Sequence, residues 1–273
     1  MLEIEGLRLA FRRYIGVLRR RRVMTLDGID LTVGHGEMVA LFGESGAGKT
    51  LLAEAVLGIL PTSAEVSGRI VFQGELLTPA RQCVLRGRSI ALVPQTVGAL
   101  DPLVRVDRQV TWAGLRAGAP RSGIENSVRA RLLAYRLDGN VARHYPHMLS
   151  GGMARRVLLA MATIGNADLI IADEPTTGLD KENAAIVLDA LRQLADRGKG
   201  VLVISHDIPA VLRVADRIVV LRAGKTVDFL SATAFKQGGT ELINPYTRAL
   251  WAALPQNGFR SEGPVDEDRN AGR

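Results

Sequence analysis

Short apolar runs alternate along this chain with stretches whose apolar residues recur at helical spacing, the pattern of a mainly parallel sheet covered by helices. Met38-Val39-Ala40-Leu41-Phe42 predicts a strand buried on both faces, and Leu51 to Leu60, after a glycine-rich turn, predicts a helix. Ser89 to Val93, Leu169 to Ala172, Val201 to Ser205 and Arg217 to Leu221 predict further strands. The first 35 residues, alternating at Leu31-Thr32-Val33, and the run Gly68 to Phe72 predict an antiparallel flap before and beside that core.

From about Gly98 to Gly165 strand signals stop, and Val104 to Leu115, Ile124 to Arg136 and Met153 to Ile164 read as helices. This stretch is expected to be a helical lobe inserted between two core strands. The organisation is then core and flap over about 1–97 and 166–225, a helical subdomain over about 98–165, and an extension over about 226–255 with a short helix from Tyr246 to Ala253. The end, 256–273, is polar and glycine-rich and is expected to be disordered. No internal repeat or low-complexity tract interrupts this order.

Composition narrows the class. Of 273 residues, 47% are hydrophobic and 23% charged, the balance of a soluble globular protein. No apolar run approaches the roughly 18 residues of a membrane-spanning helix. Met1-Leu2-Glu3-Ile4-Glu5 lacks the features of an export leader, so a cytosolic location is expected. The formal charge of +7 permits contact with nucleic acid or an anionic membrane face but selects neither. Cys83, the lone cysteine, excludes an internal disulfide and reads as a small buried side chain.

The chemistry sits in a few short runs. Gly43-Glu44-Ser45-Gly46-Ala47-Gly48-Lys49-Thr50 follows a predicted strand and opens a predicted helix. Its glycines let successive N–H groups turn inward toward phosphate oxygens, and the helix start adds its positive end. Lys49 can neutralise β- and γ-phosphates, and the Thr50 hydroxyl can ligate Mg²⁺.

Leu169 to Glu174 is a buried strand ending in two carboxylates, which such a strand delivers to the crevice where α/β ligands sit. Asp173 can hold Mg²⁺ through water and Glu174 can polarise an attacking water. The plainer reading is a solvated acidic pair before Pro175. Gln95, after Ile90 to Pro94, can reach Mg²⁺ or the lytic water; His206, after Val201 to Ser205, can contact a γ-phosphate or orient that water. Singly, each reads as a surface or capping residue. In this order beside the other runs, each reads as functional. His144 and His147 have no such context and read as ordinary helix-end residues.

The order Gly43–Thr50, Gln95, Leu149-Ser150-Gly151-Gly152, Asp173-Glu174, Asp180, His206 resembles that of an ABC-type ATPase, over about residues 1–253. The resemblance implies an α/β fold: a P-loop NTPase of ABC type, with a RecA-like core, an antiparallel β flap and an inserted helical subdomain. It implies ATP and Mg²⁺ as cofactors. It also implies a head-to-tail dimer in which each ATP lies between the phosphate loop of one subunit and the Ser150-Gly151-Gly152 element of the other. Ser150 would cap a helix whose amides and dipole bind the γ-phosphate across the interface. Asp180, in Thr177-Gly178-Leu179-Asp180, matches the family's loop linking the two sites, and Tyr14 is the candidate for stacking on adenine.

Narrower stretches resemble the oligopeptide/dipeptide/nickel importer branch: Gly151-Gly152-Met153 with Arg156 to Ala162, and Asn244-Pro245-Tyr246-Thr247-Arg248-Ala249-Leu250 with Leu254-Pro255. Leu57 to Pro61 and Cys83 to Gly87 look most like the first ATPase subunit of nickel importers. Two departures stand out. Arg155 occupies a position that usually carries Gln, and the cysteine cluster for an iron–sulfur centre found in some peptide members cannot form.

The run Arg12-Arg13 to Arg19-Arg20-Arg21-Arg22 reads as a solvated loop between two flap strands. Phe11, Tyr14, Ile15 and Leu18, at helical spacing, offer a membrane-surface helix as the alternative. The expected protein is therefore an ATP-hydrolysing subunit of an importer for nickel, a metallophore or peptides, bound peripherally at the cytoplasmic side of the inner membrane. It would pair with a second homologous ATPase subunit and two transmembrane permease subunits, served indirectly by an extracytoplasmic solute-binding protein, without nucleic acid. The rivals are a soluble ABC-type ATPase acting on ribosomes or DNA, and a P-loop small-molecule kinase, which would leave Ser150-Gly151-Gly152 and His206 without work.

Overall fold

The computed structural model describes residues 1–15, 19–238, 242–254 and 257, with the side chains of 13–15 and 19–21 excepted. The tail expectation over 256–273, Asn257 apart, and the adenine-stacking role of Tyr14 fall outside what it describes.

The strands in chain order are β1 (Leu2–Ile15), β2 (Arg19–Val33), β3 (Met38–Gly43), β4 (Ala64–Phe72), β5 (Glu75–Leu76), β6 (Ile90–Val93), β7 (Leu169–Asp173), β8 (Gly200–Ile204), β9 (Arg217–Arg222) and β10 (Lys225–Ser231). The helices are α1 (Lys49–Leu57), α2 (Pro79–Leu85), α3 (Val106–Arg116), α4 (Ile124–Ala134), α5 (Gly151–Thr163), α6 (Lys181–Asp196), α7 (Ile208–Leu212), α8 (Ala232–Gln237) and α9 (Pro245–Ala252).

Two sheets result. One is an antiparallel flap of order β2-β1-β4-β5; the other is a six-stranded core of order β10-β9-β3-β8-β7-β6, parallel except at the β10 edge. The core strands are apolar without alternation because both faces are covered. In β3, Met38, Ala40 and Phe42 pack into a cluster with α5, α6 and α7, while Val39 and Leu41 pack into a second cluster with α1 and the flap. Helices α3 to α5 all fall, in sequence, between the neighbouring parallel strands β6 and β7.

The structure corrects three local expectations. Helix α1 ends at Leu57 rather than Leu60, because Gly58 takes φ +65° and returns its N–H to the Ala55 and Glu54 carbonyls. The arginine-rich run is neither loop nor helix where it is described: Phe11 pairs with Val23, Arg12 with Arg22 and Arg13 with Arg21, so the flap strands simply continue. Glu65 of β4 holds both Arg12 and Arg22 there, offsetting two like charges on opposed positions. Cys83 is exposed, not buried, because α2 turns Gln82 inward instead. The Gln82 Nε2 donates to the Ala55 carbonyl at 2.7 Å and so ties α2 to α1.

Candidate functional site

The sheet order brings four strand ends side by side: β3 leads into the phosphate loop, β8 into Ser205-His206, β7 into Asp173-Glu174 and β6 toward Gln95. The register is set by backbone pairing, with Asp173 opposite Ile204 across β7 and β8. A cavity of about 420 Å³ lies between the phosphate loop and Gln95, Asp173 and Glu174.

The loop folds as its glycines require. Gly46 and Gly48 take φ +83° and +95°, and the Ala47 N–H donates to the Glu44 carbonyl at 3.1 Å. Glu44 and Ser45 are exposed at its bend, and Ala47 is buried beneath it. A side chain at Gly48 would overlap Leu26 of the flap, so the flap presses directly on the loop. The Lys49 Nζ donates to the carbonyls of Gly43 at 2.8 Å and Glu44 at 3.0 Å, which holds the amine over the loop. Burial lowers its pKa, and the charges of Glu174 and Asp173 oppose that shift. Thr50 is exposed at the start of α1.

Asp173 is buried, and its Oδ1 has no hydrogen-bond partner. Burial raises its carboxyl; a hydrogen bond from the Thr50 hydroxyl opposes this, and the Glu174 charge adds to it. A buried carboxylate oxygen without a partner, next to a threonine hydroxyl and Gln95, suits a magnesium ion that keeps waters and phosphate oxygens as its other ligands. Among the described residues no group of three or more His, Cys, Asp and Glu could hold a metal alone.

Glu174 is held tightly. Its backbone takes φ +48°, rare for a residue with a side chain, and its N–H donates to the Ile204 carbonyl at 2.8 Å. Its Oε2 accepts from the Thr177 hydroxyl at 3.1 Å and lies 2.6 Å from His206 Nδ1. The His206 side chain is 67% exposed and that of Glu174 only 10%, so an exposed ring rests on a buried carboxylate. Gln95 is exposed on the facing wall.

Ser150 caps α5: its hydroxyl accepts from the Met153 N–H at 3.2 Å. Ser150 and Gly151 are exposed and line no part of the cavity, whereas Gly152 is buried with Asn183 beside it. Asp180 is exposed and caps α6 by accepting from the Asn183 N–H at 2.8 Å. That bond leads the donors that hold its carboxyl below its ordinary value.

The cavity thus gathers the phosphate loop, Thr50, Gln95, Asp173 and Glu174, with His206 at its edge, but leaves Ser150, Gly151 and Asp180 outside. Sequence reasoning missed Thr177, although a hydroxyl three residues after a proposed base is a cue for side-chain support. It also passed over Thr25, which lines the cavity from the flap. Tyr246 of α9 has a buried hydroxyl without hydrogen-bonding geometry to any partner; burial and then the nearby Glu44 carboxylate push it up to about 12. The Arg222 guanidinium sits 4.9 Å from its ring centre. No signal in the sequence tied α9 to the phosphate loop.

Comparison with known proteins bears on the family and the fold. The family model described as "ABC transporter" matches residues 26–177. The oligopeptide transport ATP-binding protein OppD of Mycobacterium tuberculosis is 38% identical over 244 residues, 86% of this chain and 39% of its own length. The OppD of Lactococcus lactis subsp. cremoris is 34% identical over 236 residues, 83% of this chain and 69% of its own length. The chain therefore spans well under half the length of the mycobacterial relative. Among solved structures, the dimeric bacterial ABC transporter cassette MJ0796 superposes with a TM-score of 0.74 at 25% identity, over 85% of this chain and 99% of that one.

Proposed function

The chain belongs to the ABC transporter family, and from that premise we propose that it is the ATP-hydrolysing subunit of a bacterial peptide importer. One observation carries the reading: the phosphate loop and the carboxylates form one half of a site, while the exposed, capped N-terminus of α5 stands outside that half. A second, homologous ATPase subunit, head to tail, would bring its own Ser150-like terminus to the γ-phosphate, where amides and helix dipole favour the anion.

Within the site Lys49 and the loop amides bind the β- and γ-phosphates, and Thr50, Asp173 and Gln95 hold Mg²⁺, which when bound neutralises charge on the transferring phosphoryl group. Glu174 accepts a proton from the attacking water. His206 orients that water or contacts the γ-phosphate, and Asp180 links the two sites. Two transmembrane permease subunits would dock on the helical subdomain, 98–165, near Gln95. Leu103, 84% exposed, and Trp112, 55% exposed, are apolar side chains at the surface of that subdomain. Among the described residues no helix is long and apolar enough to cross a membrane, in keeping with a peripheral place at the cytoplasmic side of the inner membrane. The relatives named for oligopeptide transport favour peptide over nickel as cargo, captured outside by a solute-binding protein.

The test is to capture the full chain from membranes and assay MgATP hydrolysis. Co-capture of integral proteins together with hydrolysis supports the reading. Co-capture of ribosomes or DNA in their place overturns it.

A further inference from the structure

Arg155 projects from the first turns of α5, five residues after the Ser150 cap, and is 6% exposed. Its Nη1 donates to the Pro94 carbonyl at 3.1 Å, immediately before Gln95, and its Nη2 donates to the Thr177 carbonyl at 3.3 Å. Thr177 is the residue whose hydroxyl supports Glu174, and it begins the loop that ends at Asp180. One rigid fork therefore joins three pieces: the α5 helix, the Gln95 loop and the Thr177–Asp180 loop. Gly152, one turn earlier on α5, adds a second point of contact, because a side chain there would meet Asn183, which Asp180 itself holds.

A glutamine could not make this bracket. It presents a single donor nitrogen on a shorter stem, whereas the guanidinium spreads five N–H groups in a fixed plane and can serve two carbonyls that diverge. Burial works against its charge, the nearby charges of Glu174 and Asp173 work for it, and the two carbonyls are its hydrogen-bond acceptors.

We propose that Arg155 is a positioning residue that ties α5 to two loops of its own nucleotide site, so that engagement of Ser150-Gly151-Gly152 with a nucleotide in the mate is transmitted to Gln95 and Glu174 of the same chain. This rests on the shared-nucleotide reading above. It adds the path by which one site senses the other. Arg155 lines no part of the nucleotide cavity; its effect is on when the two halves register.

The test is steady-state MgATP hydrolysis by the membrane-captured complex, comparing wild type with Arg155→Met, Arg155→Gln and Arg155→Lys. Loss of the fork lowers kcat by about 10–100-fold, as small misplacements of reacting groups do. KM stays within about twofold, and the Hill coefficient for ATP falls from above 1 to about 1. Arg155→Lys, which keeps charge but not the fork, recovers part of both. The Hill coefficient is independent of the folded fraction, so partial misfolding leaves it unmoved. Should Arg155→Met fail to fold, Arg155→Gln carries the same comparison. A wild-type Hill coefficient of 1, or a variant that keeps the wild-type coefficient, overturns the proposal and leaves the enzymatic reading standing. A wild type that hydrolyses no MgATP overturns both.

Discussion

His206 Nδ1 lies 2.6 Å from the Glu174 Oε2, across the ends of two paired strands. An Nδ1–H tautomer donates to the carboxylate at this distance and fixes its rotamer together with the Thr177 hydroxyl. The ring is exposed while the carboxylate is buried, and Glu174 is the group expected to act on water. Removing the base in Glu174→Gln should cost roughly 10²–10⁴-fold in turnover. Nucleotide binding should persist, because Lys49 and the loop amides remain. Turnover assays alongside binding of a fluorescent ATP analogue check this; a Glu174→Gln protein hydrolysing at the wild-type rate would refute the assignment.

Asp173 gives a prediction of opposite sign for stability. Its carboxyl pKa is raised in the fold, chiefly by burial, so the folded chain keeps this proton to higher pH than the unfolded chain does. Stability therefore falls as pH climbs from the ordinary carboxylate pKa through the raised one, and at neutral pH the ionised group is a net cost. Asp173→Asn should raise the melting temperature of the nucleotide-free protein at pH 7 and leave it unchanged well below the ordinary carboxylate pKa. The added stability conferred by MgATP should shrink, because one Mg²⁺ ligand is lost while Lys49 and the loop amides remain. Thermal unfolding at both pH values, with and without MgATP, reads all three effects.

Ser150→Ala removes the hydroxyl that accepts from the Met153 N–H. The expected loss of stability is about 1 kcal/mol, the usual cost of deleting a helix cap. Ser150→Thr should retain most of it. Denaturant unfolding gives the stability, and a drop in hydrolysis larger than the folded fraction explains would show that the hydroxyl also serves the mate's nucleotide.

Gly46 and Gly48 differ in a way that substitution exposes. Both hold positive φ, but space is open around Gly46 while Leu26 occupies the place of a Gly48 side chain. Gly46→Ala should carry only the left-handed backbone cost, about 1–2 kcal/mol. Gly48→Ala should add a clash with Leu26 Cδ2, so that this side chain must turn away, and should lower nucleotide affinity more than Gly46→Ala does. Measuring ATP-analogue affinity for the two variants side by side separates these outcomes.

Much of this was readable from residues alone, for a physical reason. Strands β3, β6, β7, β8 and β9 are buried on both faces or nearly so, and continuous burial writes a continuous apolar run. The polar residues at their ends stood out against those runs, so Lys49, Gln95, Asp173, Glu174 and His206 could be placed together. β10 escaped notice because it is a partly exposed edge strand, Lys225 to Ser231, with no clean alternation. The arginine-rich strands were missed because their pairing is made by backbone, which a run of like charges does not reveal. The Arg155 bracket was invisible for a similar reason: its acceptors, Pro94 and Thr177, contribute carbonyls, and every residue has one.

Helix α5 runs back along the sheet from the edge where β6 ends, so its amino end and that of α1 lie at the same margin of the molecule. A helix start of either kind favours an anion, yet Ser150 and Gly151 line no part of the cavity that the phosphate loop lines. In the proposed head-to-tail pair, a mate related by a two-fold rotation would meet the margin with both poles exchanged, so that what closes one triphosphate would close the other. In the proposed pair, a mate with one damaged pole would therefore disable a site it does not own.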